Sequence, residues 1–296
     1  MAADPQLGAG AMALEGTDRL AAPQSGKAKG WRMRWPSPAA LRYAIVATLL
    51  VLWELVPRAG LVPELFLPSL SKTLSVLVQD RYIYAEALLV TVYEVACGML
   101  IACGAGLLVG AVVGGLARLR AVMLPVFSSL YAVPLIVLYP LFTAWFGIGS
   151  ASKIAFGGLY GFFPVMLSTA AGIRTIDAHY LVVARSVGAS FPQQITRVII
   201  PAAMPTVLAG FRLGGALAII GVVVAEMLTS AAGIGYLVTL NRTILDSPRV
   251  FASILSILTL TTGFDMLARW LERHAPGRQA AASRQDKTRP RGETVR

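Results

Sequence analysis

VARSVGASFPQQITRVIIPAAMP, residues 183–205, is a polar, basic interval with oily sequence on both sides of it. It parses into two short helices joined at one glycine. Asp177 caps the first helix, whose body covers about 178–187, and Gly188 supplies the left-handed residue that stops it. Ser190 and Gln193 make the S-x-x-Q pattern of a capping box. Pro192 falls in the first turn of the second helix, where its missing N–H is not needed. That helix is expected to run to Ile200, with Pro201 opening the next apolar segment. Two short helices on a one-glycine elbow form a stiff projection. From these residues alone, an interfacial hairpin with no further task fits equally well.

The flanking composition decides the medium. Of 296 residues, 56% are hydrophobic and 14% charged, and the mean hydropathy is +0.68. Soluble domains carry about 25% charged residues, so an integral membrane protein follows. The net charge of +11 sits largely in two tails, KAKGWRMRW (27–35) and RQDKTRPRGETVR (284–296). Basic residues beside membrane spans need only anionic headgroups and the positive-inside rule, so no nucleic-acid partner is implied. Cys97 and Cys103 share one apolar run; a helical rise of about 9 Å between them is beyond disulfide reach, and they read as packing residues. His179 and His274 lack a ligand cluster, so no metal site is expected.

Six apolar segments, about 39–56, 86–116, 122–146, 152–172, 202–228 and 249–270, approach the ~20 residues a bilayer core requires. The stretch LPSLSKTLSVLVQD (67–80) is too polar to span and reads as an amphipathic interfacial segment. Residues 1–38 read as a disordered basic cytoplasmic tail with an uncleaved start, and 274–296 as a second such tail. The N-terminal tail, Arg118, Arg120, the 174–197 cations and the C-terminal tail fall on one side of a six-span chain. Arg58, Lys72, Arg81, Lys153, Arg242 and Arg249 fall on the other. The moderate bias puts both ends inside. Small residues crowd the spans in CGMLIACGAGLLVGAVVGG (97–115), GGLYG (157–161) and AGFRLGGALAIIG (209–221), which lets helix backbones approach closely.

Ionisable residues inside spans are functional candidates by default, which selects Glu94, Arg212 and Glu226. Ser128, Tyr131 and Pro134 in the third segment are further candidates for the pathway. Pro134 and Pro140 free backbone groups that a cavity can re-satisfy, although packing kinks fit equally. AGIGYLV (232–238) reads as a short re-entrant or gate helix with Gly233 and Gly235 at its turn, and Trp53 and Trp145 as interface anchors. The chain has no G-x-x-x-x-G-K-[ST] loop to hold nucleotide phosphates.

VVARSVGASFPQQITRVIIP (182–201) resembles the EAA motif of ABC importer permeases. Ala184, Gly188, Val198, Ile200 and Pro201 keep the frame, while Val182 and Val183 replace its Glu and first Ala. Three more stretches match in order: WELVPRAGLVPELFLPSL (53–70), VPLIVLYPLFTAWFGIGSASK (133–153) and AGFRLGGALAIIGVVVAEMLTSAAGIGYLV (209–238). The last two are similar to the nitrate, sulfonate, taurine and bicarbonate branch, which also includes carriers of pyrimidine vitamin precursors.

The resemblance implies an all-α integral membrane protein of the type I importer kind: six transmembrane helices and a cytoplasmic coupling-helix loop. That loop would carry Asp177, Ala184, Arg185, Gly188, Ala189, Ser190, Pro192, Val198, Ile200 and Pro201. Glu226 and Met227 of the A-E-M-L motif would join Ser128, Tyr131, Pro134 and Arg212 along the pathway. Implied partners are two cytoplasmic ABC ATPase subunits holding the ATP and magnesium, a second permease copy, a periplasmic or lipid-anchored solute-binding protein, and the bilayer of the bacterial inner membrane. The chain itself would be no enzyme and hold no cofactor. A self-contained secondary transporter would instead show coupling-ion residues and inverted repeats, and the sequence displays neither. No residue selects among the branch's solutes.

Overall fold

The structure, a computed structural model, describes residues 37–274. Apart from Ser37, Pro38 and His274, the two expected tails lie outside the described residues. The described residues divide into two units between Ala47 and Thr48. Of the first, the described part is the opening of helix α1, Pro38–Arg58; the second unit contains all the other elements.

Every described element is helical: α2 Leu70–Gln79, α3 Arg81–Gly115, α4 Ala117–Ala132, α5 Tyr139–Phe146, α6 Ser150–Arg174, α7 Ala178–Ser186, α8 Phe191–Gln194, α9 Ile200–Leu228, α10 Ile234–Thr243 and α11 Ser247–His274. Five helical segments are long and apolar enough to cross a membrane: α1, α3, α6, Phe191–Leu228 and α11. The pair α4 and α5 makes a sixth only as a broken span.

The third apolar segment, expected over 122–146, is thus broken at its prolines. The two halves meet at 83°. Proline pushes the preceding residue out of helical geometry, and Val133 accordingly sits at ψ 135°, ending α4 at Ala132. A 3-10 turn over Leu135–Leu138 follows, and Pro140 falls in the first turn of α5, where it is tolerated.

One expectation is corrected at Pro201. It does not begin a separate span: the helix starting at Phe191 continues through a π turn, Ile195–Ile199, into α9. The Ile200 N–H reaches back to the Ile195 carbonyl. In a regular helix the Pro201 ring would press on the carbonyl four residues earlier, and a widened turn relieves that clash.

The bundle core is α3, α6 and α9 at close range. A Cβ on Gly110 would stand 2.6 Å from the Met166 carbonyl oxygen, and one on Gly214 2.8 Å from that of Gly161. In lipid, such backbone proximity replaces the aqueous hydrophobic drive as the source of attraction. Around it pack Val95, Met99, Ala218, Ile219, Val222 and Val223, while Leu89, Leu100 and Leu108 are exposed along α3, as a lipid-facing surface requires.

The interfacial segment 67–80 becomes α2. Ser69 Oγ accepts the Lys72 N–H at 3.4 Å, Glu54 accepts the Ser71 N–H at 2.9 Å, and the Trp53 indole donates to the Pro68 carbonyl at 3.1 Å. Helices α10 and α11 close the described residues, with Tyr84, Ala87, Ile234, Leu237 and Ala252 forming a small core between α3 and these elements. Because successive spans alternate in direction, the loop after α6 and the turn after α9 lie at opposite ends of the bundle.

Candidate functional site

Two places concentrate polar residues: the loop between α6 and α9, and a buried cluster under the α9–α10 turn.

In the loop, Asp177 Oδ1 accepts the His179 N–H at 2.9 Å and opens α7. Gly188 has φ +76°. Its N–H bonds the Arg185 carbonyl at 2.9 Å while that of Ala189 bonds the Ala184 carbonyl at 3.0 Å, the paired bonds of a Schellman stop. The Ser190 N–H donates to Gln193 Oε1 at 2.8 Å, part of the capping box that opens α8 with Pro192 in its first turn. The elbow is thus hydrogen-bonded on both sides of one left-handed residue.

Of the residues assigned to the loop, Ala184 is buried, Ala189, Val198 and Pro201 are half-buried, and Asp177, Arg185, Gly188, Ser190, Pro192 and Ile200 are exposed. Nothing in the sequence pattern singled out the loop's tip. Val187 and Phe191 flank the elbow at 78% and 72% exposure, with Val182 and Val183 exposed beside them. A cavity of about 930 Å³ opens between this loop and the base of α9, lined by Asp177, His179, Ala184, Gln193, Arg197 and Pro201 among others.

The cluster at the other end is built by α3, α5, α6, α9 and α10. Helix α10 starts at Gly233, at φ +99°. This residue has no side chain to cap the helix, and the room for a Cβ is filled by the Glu226 carboxylate. The orphan N–H groups of the first turn are satisfied from other helices instead. The Ile234 N–H donates to Thr91 Oγ1 at 3.0 Å, and the Gly235 N–H to Glu226 Oε2 at 2.8 Å. The Thr91 hydroxyl meets Glu226 Oε1 at 2.7 Å.

Beside this tie, Lys153 Nζ lies 2.7 Å from Glu94 Oε1, with side chains 3% and 0% exposed. It also donates to Ser230 Oγ at 2.9 Å. The ammonium approaches Glu94 off the hydrogen-bonding direction, so the contact is an ion pair; both Glu94 oxygens and the Tyr139 hydroxyl have no hydrogen-bond partner among the described residues. Tyr139 is buried near Ser152, Glu94 and Glu226.

The pathway candidates are not gathered into one site. Glu226 is buried in the α10 tie, and Met227 packs on the α3–α9 core while its carbonyl accepts the Thr239 hydroxyl at 3.1 Å. Arg212 pairs with Asp265 of α11 at 2.6 Å, and Asp265 also holds Arg269. Ser128 is exposed on α4, Tyr131 lies 5.7 Å from the Phe163 ring, and Pro134 is exposed at the break.

Sequence reasoning missed Lys153 as a buried residue. It was counted among loop cations but belongs to α6. Its nearness to the start of an apolar segment was the available signal. Thr91 with Glu94, three apart on one helical face, was another.

The cations also differ by side. Arg58 pairs with Glu54, Lys72 with Glu64, Lys153 with Glu94, and Arg249 with Asp80 and Asp246, while Arg81 and Arg242 of the same side meet no carboxylate among the described residues. Arg118, Arg120, Arg174, Arg185 and Arg197 meet no carboxylate among the described residues.

Residues 102–275 match the family described as binding-protein-dependent transport system inner membrane component. A Bacillus subtilis protein named as an aliphatic sulfonates transport permease, SsuC, is 34% identical over 77% of this chain and 83% of its own length. The Escherichia coli taurine transport system permease protein TauC is 30% identical over 82% of this chain and 91% of its own. Among solved structures, a chain of the MetNI methionine ABC transporter in inward-facing conformations superposes with a TM-score of 0.53. It covers 66% of this chain and 94% of that one at 16% identity, a likeness of fold.

Proposed function

The chain belongs to the binding-protein-dependent transport system inner membrane components, and on that premise we propose that two copies of it line the path of a small anion, a sulfonate or a solute such as taurine or nitrate, across the bacterial membrane. Members of this family are multi-pass permease subunits of ABC importers in the inner membrane. They work with an ATPase subunit and a solute-binding protein, and carry neither catalysis nor a cofactor themselves. The names of the sulfonate and taurine permeases support the substrate class.

The observation that carries the coupling role is the elbow at Gly188. It is fixed by hydrogen bonds from both helices and presents Val187 and Phe191 to the outside. An exposed apolar tip on a rigid polar loop suits a protein partner better than water. The loop would transmit closure of the ATPases to α6 and α9, since a rigid element passes displacement on where a floppy one absorbs it. The unpaired arginines at this end support a cytoplasmic loop and two cytoplasmic termini.

Reconstitution of the permease with its ATPase subunit and binding protein in vesicles tests both parts. ATP-dependent uptake of an alkanesulfonate, taurine or nitrate is expected, competed by its own class. Uptake of a pyrimidine and of none of these anions would move the chain to the heterocycle carriers. Changing Val187 and Phe191 together to Asp is expected to release the ATPase subunit. Retention of ATPase binding and uptake by that variant would refute the docking role.

A further inference from the structure

Glu94 and Lys153 are buried at 0% and 3% exposure in an otherwise apolar bundle. Replacing a buried ion pair by packed apolar side chains is often neutral or stabilising, so stability does not account for this one. Its position is more informative. Glu94 belongs to α3, Lys153 to α6, and Lys153 reaches on to Ser230 in the turn that leads into α10. Ser230 in turn shapes that turn, its hydroxyl donating to the Ala232 carbonyl at 2.6 Å. One ammonium therefore holds three elements together at the end of the bundle opposite the coupling loop.

Solute handed over by a binding protein must enter at this end, so these elements must separate during each cycle. Apolar contacts yield gradually. A charge pair in a dry site is either closed or parted and rehydrated, which makes the junction two-state. Glu94 Oε2 and the Tyr139 hydroxyl, without a hydrogen-bond partner among the described residues, are polar groups that gain partners when water enters.

We propose that Glu94 and Lys153 are positioning residues that latch the α9–α10 turn shut against α3 and α6, and so hold the transporter at rest until the binding protein docks. The proposal rests on the importer function. A ligand that favours one of two states shifts the population only by its differential affinity. Weakening the latch therefore moves the resting equilibrium toward the open, ATPase-engaged state without any binding protein.

The test uses the permease assembled with its ATPase subunit, with ATP hydrolysis measured with and without the binding protein. In Glu94→Leu combined with Lys153→Met, no charge is stranded and the bundle is expected to assemble. Hydrolysis without binding protein is expected to rise about five-fold, with a matching fall in stimulation, at an unchanged unfolding midpoint. Ser230→Ala, which removes the reach of Lys153 to the turn together with the turn's own bonds to Ala232, is expected to give about two-fold. An assembled double variant with the parent's basal rate and stimulation overturns the latch. Should the double variant fail to assemble, Ser230→Ala decides by the same criterion. The parent's own stimulation and uptake, read in parallel, separate a failure of the importer function from a failure of the latch, which appears only in the variants.

Discussion

Glu226 gives one carboxylate oxygen to Thr91 and the other to the Gly235 N–H, and its carboxylate fills the space where a Cβ on Gly233 would go. It thereby supplies across helices the cap that Gly233, lacking a side chain, leaves unfilled at the start of α10. An intramembrane glutamate that looked from the sequence like a pathway group is engaged in closing a turn. Truncating it to Ala leaves the buried Gly235 N–H unsatisfied, at about 1–3 kcal/mol, while the Thr91 hydroxyl keeps the Ala87 carbonyl. Glu226→Gln keeps an acceptor in place and is expected to lose roughly half as much. Fraying of α10 exposes the chain around Arg242, already on the surface. Tryptic nicking there is expected to accelerate in Glu226→Ala well beyond Glu226→Gln; equal, parent-like rates in both would show that the carboxylate does not hold this helix.

The helix–glycine–helix loop depends on the backbone rather than on packing. A Cβ at Gly188 would meet nothing within 4 Å, so Gly188→Ala has no clash to overcome, only the left-handed conformation at about 1–2 kcal/mol. That corresponds to roughly five- to thirty-fold in an equilibrium constant. Titrating ATPase subunit onto the purified permease is expected to show a loss of that order for Gly188→Ala and a smaller one for Gly188→Asn, which tolerates the left-handed region better. Parent-like affinity in both would mean that the elbow's shape is not what the ATPase reads. This loop was legible from sequence because its signals are local: Asp177, Gly188, Ser190 and Gln193 each act within a few residues. The broken third span was half legible. Pro134 and Pro140 mark the site, but the 83° bend depends on how Leu135 and Tyr139 bury themselves. The Glu94–Lys153 pair was illegible, because residues distant in the chain meet only once α3 and α6 have packed through Gly98 and Gly158. The π turn before Pro201 escaped notice because a proline at the start of a span reads equally as a boundary.

For the molecule as a whole, the distribution of charge across the membrane is sharper in the fold than along the chain. Counting cations by sequence gave a moderate bias, because Arg58, Lys72, Arg81, Lys153, Arg242 and Arg249 weighed against the cytoplasmic set. Four of these six, Arg58, Lys72, Lys153 and Arg249, are neutralised by a carboxylate, and Lys153 lies inside the bundle; Arg81 and Arg242 still weigh on that side. The arginines at the coupling-loop end keep their charge. The positive-inside rule counts Lys and Arg themselves rather than net charge, yet an unpaired guanidinium is also what anionic headgroups attract, at about 1 kcal/mol per residue near the surface. Both effects favour the proposed orientation, with the 175–199 loop in the cytoplasm and the 59–69 loop outside. In a background with Cys97 and Cys103 changed to Ala, Leu61→Cys is expected to react with a membrane-impermeant maleimide in intact spheroplasts. Ser186→Cys, exposed beside the elbow, is expected to react only after the membrane is opened. The reverse pattern would invert the chain in the bilayer. It would put the elbow out of reach of any ATP-hydrolysing partner, and the coupling role would fall with it.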